Sequence, residues 1–251
     1  NGIVDLEDLK KLLRPDTILV TIGAVNSEVG LRQPIEEIGE LLKEYPCYFH
    51  VDATQAIGKI KIDFRNVDLI SFTAHKFYGI KGIACLVKKE SILMEPLIHG
   101  GKSTTKYRSG TPALPLIVSM SKALRLIDEE LDTNYQHTLE LNQYLKEQLK
   151  NIDQIKINSN EKAIPHILNI SVMGIKPETM QHALEEYDIY ISTQSACSSN
   201  NPISRSVLEA TKDEETAKHS IRISLSGITT KEEIDQLLVA LKECLERLHI
   251  K

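Results

Sequence analysis

The sequence predicts an α/β fold, with a mostly parallel sheet in its first half and a smaller α/β domain in its second. Three observations predict it. Short apolar runs at "TILVTIGAV", "CYFHVDA" and "DLISFTAH" alternate with amphipathic or turn-rich connectors, the pattern of parallel strands joined by crossovers and covered on both faces. A long helical stretch over residues 113–150 then divides the chain, and strand and helix patterns resume beyond it. The 251 residues, 41% apolar and 26% charged, suffice for one large or two ordinary well-buried domains.

Each element follows from its local pattern. Leu6 to Leu13 interleaves acids, bases and leucines at helical spacing and leads into strand "TILVTIGAV". "PIEEIGELLKEY" reads as a helix with Pro34 in its first turn, where a missing N–H costs nothing. Strand "CYFHVDA", a connector, strand "DLISFTAH", a glycine-rich turn and strand "IACLVKK" follow. After "HGGKSTTKYRSGTPALP" the character changes, which sets a boundary between residues 1–112 and 113–251. The second part runs from the linking helix through strand "HILNISV", helix "PETMQHALEEY", strand "IYIS", a small-residue loop, helix "SRSVLEAT" and strand "SIRISLS" to an amphipathic helix from Lys231 to Leu248.

Bulk properties exclude several function classes. Net charge is −5 with both signs interleaved, which argues against nucleic acid as a direct partner. The longest apolar run is too short to cross a bilayer, and the opening "NGIVDLEDLKK" lacks the regions of a signal peptide. Cys47, Cys85, Cys197 and Cys244 lie far apart without a C-x-x-C pair; they read as reduced thiols of a cytoplasmic protein, not as a disulfide framework or a zinc site.

In open parallel sheets, ligands bind beyond the carboxyl ends of the strands. Asp52 and Gln55 end one strand, Thr73, His75 and Lys76 end the next, and Ser27 and Glu28 follow "TILVTIGAV". A carboxylate and a lysine on neighbouring strand ends are what pyridoxal 5'-phosphate requires: the amine bonds the aldehyde, and the acid keeps the pyridine nitrogen protonated. Singly, such an aspartate is more often a turn cap and such a lysine a solvated charge. Their order and spacing together shift the balance.

That order resembles the cysteine desulfurases, pyridoxal phosphate-dependent relatives of the class V aminotransferases. The likeness runs from "HVDATQAIGK" and "SFTAHKFYGIKG" through "HGGKSTTKYRSGT" and "STQSACSS" to "HSIRISLS" and "TTKEEID". It implies the type I fold of pyridoxal phosphate-dependent transferases, with residues 1–112 as the C-terminal part of the large domain, because the family carries a further N-terminal portion. It implies that Lys76 bonds the cofactor aldehyde, Asp52 pairs with the pyridine nitrogen, Gln55 bonds the ring hydroxyl oxygen, and Thr73 and His75 face the phosphate. Ser27 stands where the family carries an asparagine near the cofactor ring. Thr111 would reach the phosphate of the neighbouring subunit in a homodimer with shared sites. Arg222 would clamp the carboxylate of L-cysteine.

Cys197 would be the nucleophile that takes sulfur from L-cysteine, leaving L-alanine and a protein persulfide for a sulfur-acceptor or scaffold protein of iron–sulfur cluster assembly or tRNA thiolation. Its own surroundings agree. "STQSACSSNNPIS" is small and polar and reads as an exposed, mobile loop, where a thiol can ionise and travel. Cys85 in a strand and Cys244 in a helix read as buried apolar residues, and Cys47 as inert. Two alternatives stay open: a lyase acting on selenocysteine, and a truncated or inactive paralogue serving as a dimerisation or sulfur-relay scaffold.

Overall fold

The computed structural model describes residues 2–101, 105–194 and 203–248. In chain order the elements are α1 (Leu6–Leu12), β1 (Leu19–Gly23), α2 (Ile35–Leu42), β2 (Tyr48–Asp52), β3 (Leu69–Thr73), a 3-10 turn (Ala74–Lys76), β4 (Ala84–Lys88), α3 (Leu114–Glu129), α4 (Leu131–Leu149), β5 (Ile155–Ile157), β6 (Ile167–Val172), α5 (Pro177–Glu185), α6 (Arg205–Thr211), α7 (Glu214–Lys218), β7 (Ser220–Ser224) and α8 (Lys231–Leu248). They gather into two compact units. One comprises Leu6–Ala24 and Pro34–Glu130; the other comprises Asn1–Asp5, Val25–Gln33 and Leu131–Lys251.

In the first unit the strand order is β1-β2-β3-β4. β1, β2 and β3 run parallel, whereas β4 pairs with β3 antiparallel. The reversal has a simple cause: the connection from Lys76 to Ala84 is too short for a crossover, which needs a dozen residues or more. α2 buries Ile35, Ile38, Gly39 and Leu42, one face at helical spacing, and packs against β2. A Cβ on Gly39 would lie 2.8 Å from Asn66 Cβ, so glycine permits this close approach. Among the described residues the two faces of this sheet differ, where the sequence predicts cover on both. In β2, Phe49 and Val51 are buried while Tyr48 and Asp52 are exposed, the alternation of a sheet packed on one face.

The expected single helix over 113–150 is two helices. Glu130 leaves helical geometry at φ −105°, ψ 3°, and the compact units divide at that same place. α3 belongs to the parallel-sheet unit, where its Met120 and Ile127 pack with Phe72, Ala74 and Phe77.

The second unit holds an antiparallel sheet in the order β5-β6-β7. All six residues of β6 are buried. Leu168, Ile170 and Val172 join a core with Leu145 of α4, Met180 of α5 and Leu241 of α8. Each such fully buried side chain is worth about 1.5–3 kcal/mol over an exposed one. The expected strand "IYIS" is reduced to a single bridge, Ser192 to Arg222, because the chain meets the free edge of β7 only there. The expected helix "SRSVLEAT" corresponds to α6, which a left-handed Lys212 (φ 57°) terminates. α7 follows at once, capped by Asp213. No described helix is long and apolar enough to cross a membrane.

Candidate active site

β2 and β3 are parallel neighbours with Asp52 in register with Ser71, so both strands deliver their last residues to one sheet edge. The ladder persists to that edge: Ala24 N–H donates to Asp52 O and Ala53 N–H to Ser71 O, both at 2.8 Å. Asp52 Oδ1 accepts from Thr54 N–H at 2.9 Å, an Asx turn that fixes the carboxylate. Its Oδ2 has no partner among the described residues. Ala53 and Ala56 are fully buried beneath this turn, and Gln55 between them is half-buried. Gln55 Oε1 accepts from Lys59 Nζ at 3.2 Å, which leaves the amide N–H groups available as donors.

The 3-10 turn after β3 explains why His75 and Lys76 are adjacent. Ala74 is fully buried and Phe77 is 2% exposed, so the two residues between these anchors face outward. Phe77 N–H and Gly79 N–H both donate to Ala74 O, at 3.1 and 2.9 Å, and Tyr78 completes the turn at φ 65°. Gly79 lies so close to Ala74 that a Cβ would stand 2.7 Å from Ala74 Cβ. Thr73 Oγ1 donates to Ile83 O at 3.1 Å and lies 3.0 Å from His75 Nδ1. With its proton directed to Ile83, Oγ1 accepts from Nδ1–H, which leaves Nε2 to face solvent. Lys76 Nζ has no hydrogen bond or ion pair among the described residues.

These groups fit pyridoxal phosphate. A carboxylate with one oxygen anchored and one free suits a pyridinium N–H. An unpaired amine suits an aldehyde and a glutamine amide with free N–H groups suits a ring hydroxyl oxygen; the Thr73 hydroxyl and the His75 imidazole suit a phosphate once their protons turn from Ile83 O and Thr73 Oγ1 to its oxygens.

In the second unit Arg222 lies in β7, half-buried. Its Nη1 donates to Ser27 O at 2.8 Å and its Nη2 to Ser192 Oγ at 3.0 Å. Its Nε is buried without a partner among the described residues. Burial pushes the Arg222 pKa down, and the nearby Glu28 carboxylate acts the other way. Each Nη keeps a second N–H, so the planar fork retains donors for an anion. Ser27 thus contributes its backbone carbonyl to Arg222. Asn26 shapes that loop: its Oδ1 accepts from Glu28 N–H and Val29 N–H, at 2.8 and 3.0 Å.

Thr111 is exposed, shortly before α3. The preceding segment lines an open cavity of about 400 Å³ that includes His99, Lys106 and Arg108. Cys197 lies outside the described residues. Cys244 is buried as expected, whereas Cys85 is half-buried, as is Cys47; Cys85 turns toward the Phe72 and Phe77 cluster from an exposed strand. Burial raises the pKa of all three thiols, and a thiol held protonated is a poor nucleophile.

Sequence reasoning passed over Asn169, Ser192 and Ser204, which build the surroundings of Arg222 and Glu28. A signal existed for the first. In the apolar strand "HILNISV", Asn169 and Ser171 are polar at i and i+2, on one face.

The first unit is an open α/β sheet with an acid and an amine at adjoining strand ends, the place where sheets of this class bind ligands. The aminotransferase class-V family profile matches residues 1–237, and the chain belongs to that family. It is 41% identical over 254 aligned residues to the mitosomal cysteine desulfurase of Encephalitozoon cuniculi (strain GB-M1), covering 99% of this chain and 58% of that protein. A solved NifS-like protein superposes with a TM-score of 0.90 at 38% identity, covering 98% of this chain and 66% of the other. SspA, solved in complex with cysteine, superposes with a TM-score of 0.73 at 30% identity over 91% of this chain and 65% of its own. The chain spans about three fifths of the length of the curated relative.

Proposed function

We propose that this chain is the catalytic part of a pyridoxal phosphate-dependent cysteine desulfurase, which converts L-cysteine and a protein thiol to L-alanine and a protein persulfide. The observation that carries the reading is the pair Asp52 and Lys76 at the carboxyl ends of parallel neighbours β2 and β3, in a chain so similar to cysteine desulfurases. When bound, the cofactor supplies an electron sink that loosens bonds at the substrate's carbons.

The chain's own residues divide the remaining work. Lys76 Nζ would bond the cofactor's aldehyde and, once the substrate amine has displaced it, would be the base placed to carry a proton beside it. Asp52 Oδ2 would accept the pyridine N–H. Gln55 would donate its amide N–H to the ring hydroxyl oxygen, and Thr73 with His75 would face the phosphate. Ser27 stands where the cysteine desulfurases carry an asparagine near the cofactor ring. Arg222 pairs with the substrate carboxylate through its remaining N–H groups. Cys197 Sγ attacks the substrate sulfur; a new S–S bond forms, the C–S bond breaks, and the thiol proton is returned to the alanine product. The raised pKa values of Cys47, Cys85 and Cys244 support assigning the reaction to the remaining cysteine.

In a homodimer with shared sites, Thr111 and the basic lining of His99, Lys106 and Arg108 serve the neighbouring subunit's phosphate. The persulfide passes to a sulfur acceptor or scaffold protein for iron–sulfur cluster assembly or tRNA thiolation, in the cytoplasm. The test is sulfur release from L-cysteine under a reductant, with alanine measured in parallel. Cys197→Ser is expected to abolish sulfide output while leaving the cofactor's visible absorbance intact. Undiminished sulfide from that variant would overturn the assignment.

A further inference from the structure

We propose that Asn169 is a positioning residue for Arg222, and through it for the substrate carboxylate. The inference rests on the reading of Arg222 as the partner of that carboxylate. Asn169 on β6 stands directly opposite Arg222 on β7 in the antiparallel register, so the two side chains share one face of the sheet. On that face they reach successive carbonyls of one loop. Arg222 Nη1 donates to Ser27 O at 2.8 Å, and Asn169 Nδ2 donates to Glu28 O at 3.1 Å. Ser159 Oγ takes the next carbonyl, Val29 O, at 2.8 Å, and accepts from Asn169 N–H at 2.8 Å.

The direction of every bond in this cluster is determined. Asn158 Nδ2 donates to Asn169 Oδ1 at 2.7 Å and to Ser171 Oγ at 2.7 Å, and Ser171 Oγ donates to Thr216 O at 2.7 Å. Asn169 Oδ1 is therefore an acceptor and its Nδ2 must face Glu28 O; a flipped amide would set oxygen against oxygen. Asn169 is 1% exposed and Ser171 and Ser159 are at most 4% exposed, so water does not compete for these groups. Asn169 and Ser159 thus hold the loop at Glu28 and Val29, and the adjoining Ser27 O is held with it. Ser27 O is one of two anchors on the guanidinium, Ser192 Oγ being the other. Removal of the Asn169 donor loosens the loop at Glu28, next to Ser27, and so weakens one of the two anchors on Arg222.

The test compares dissociation constants of L-alanine and ethylamine, which differ by the carboxylate, on the pyridoxal phosphate-loaded protein, read from the cofactor's absorbance. Asn169→Ala is expected to weaken L-alanine about tenfold, the value of roughly one hydrogen bond, and to leave ethylamine within about twofold. Asn169→Ser, which keeps a polar group at the site but is too short to reach Glu28 O, is expected to match it and guards against loss of the fold. In Arg222→Ala, which removes the preference for L-alanine, adding Asn169→Ser should weaken L-alanine no further. Unchanged L-alanine affinity in both Asn169 variants, or an equal loss for both ligands, would overturn the proposal. If Arg222→Ala itself kept the preference for L-alanine, the reading of Arg222 would fail instead.

Discussion

Replacing Gly79 with alanine perturbs the turn that presents Lys76 by a single methyl group. That methyl would lie 2.7 Å from Ala74 Cβ and 3.0 Å from Ala74 O, and Ala74 is fully buried with no flexible end to yield. Overpacking of this kind costs about 1–3 kcal/mol. Strain on the 2.9 Å bond from Gly79 N–H to Ala74 O adds about 1 kcal/mol. The stiffer unfolded chain returns about 0.4–1 kcal/mol, so the net loss is about 1–3.5 kcal/mol. The assay is urea unfolding followed by far-UV circular dichroism, beside Gly23→Ala as control. A Cβ on Gly23 meets nothing within 4 Å, so that variant should stay within about 1 kcal/mol of the parent. Because the turn itself must move, Gly79→Ala should also take up less pyridoxal phosphate. Equal stability and equal uptake in the two variants would refute the packing reasoning.

Phe77→Ala removes a ring that is 2% exposed and stands 6.1 Å from the Phe72 ring; it should cost about 3–5 kcal/mol by thermal unfolding, and Phe77→Leu much less. Ser204→Ala removes the acceptor for Val207 N–H at the start of α6 and the 2.5 Å donation to the buried Glu28 carboxylate. A loss of about 2–3 kcal/mol in urea is expected. Asp213 is held down to about pKa 2, first by its side-chain bond with Thr216 and then by Thr216 N–H. A depressed acid stabilises the fold above its unfolded pKa and loses that contribution as pH falls through the folded one. Asp213→Asn should therefore be less stable than the parent at neutral pH, with the gap narrowing between about pH 4 and pH 2; a gap that is constant with pH would contradict this.

Much of the fold was legible because its strands are short, apolar and separated by clear turn chemistry. β2 and β3 lie within the runs that forecast them, and Asp52, Thr73, His75 and Lys76 fall at their ends. Other features depend on contacts that one-dimensional patterns do not carry. Ile189 to Ser192 has strong strand propensity but pairs only at Ser192, since the edge of β7 accepts it at one residue. The pause at Glu130 is one residue long within two helical patterns that share a period. The anchoring of Arg222 was invisible for a related reason: two of its partners are a backbone carbonyl at Ser27 and a side chain at Ser192, distant in sequence and joined only by folding.

Peptide mapping of the pyridoxal phosphate-loaded protein after borohydride reduction interrogates the acid–amine pair itself. A pyridoxyl phosphate mass on the peptide containing Lys76, absent in Lys76→Ala and reduced in Asp52→Ala, is the expected outcome. A label on another lysine, or none on protein that has been given the cofactor, would contradict the assignment of the strand-end site.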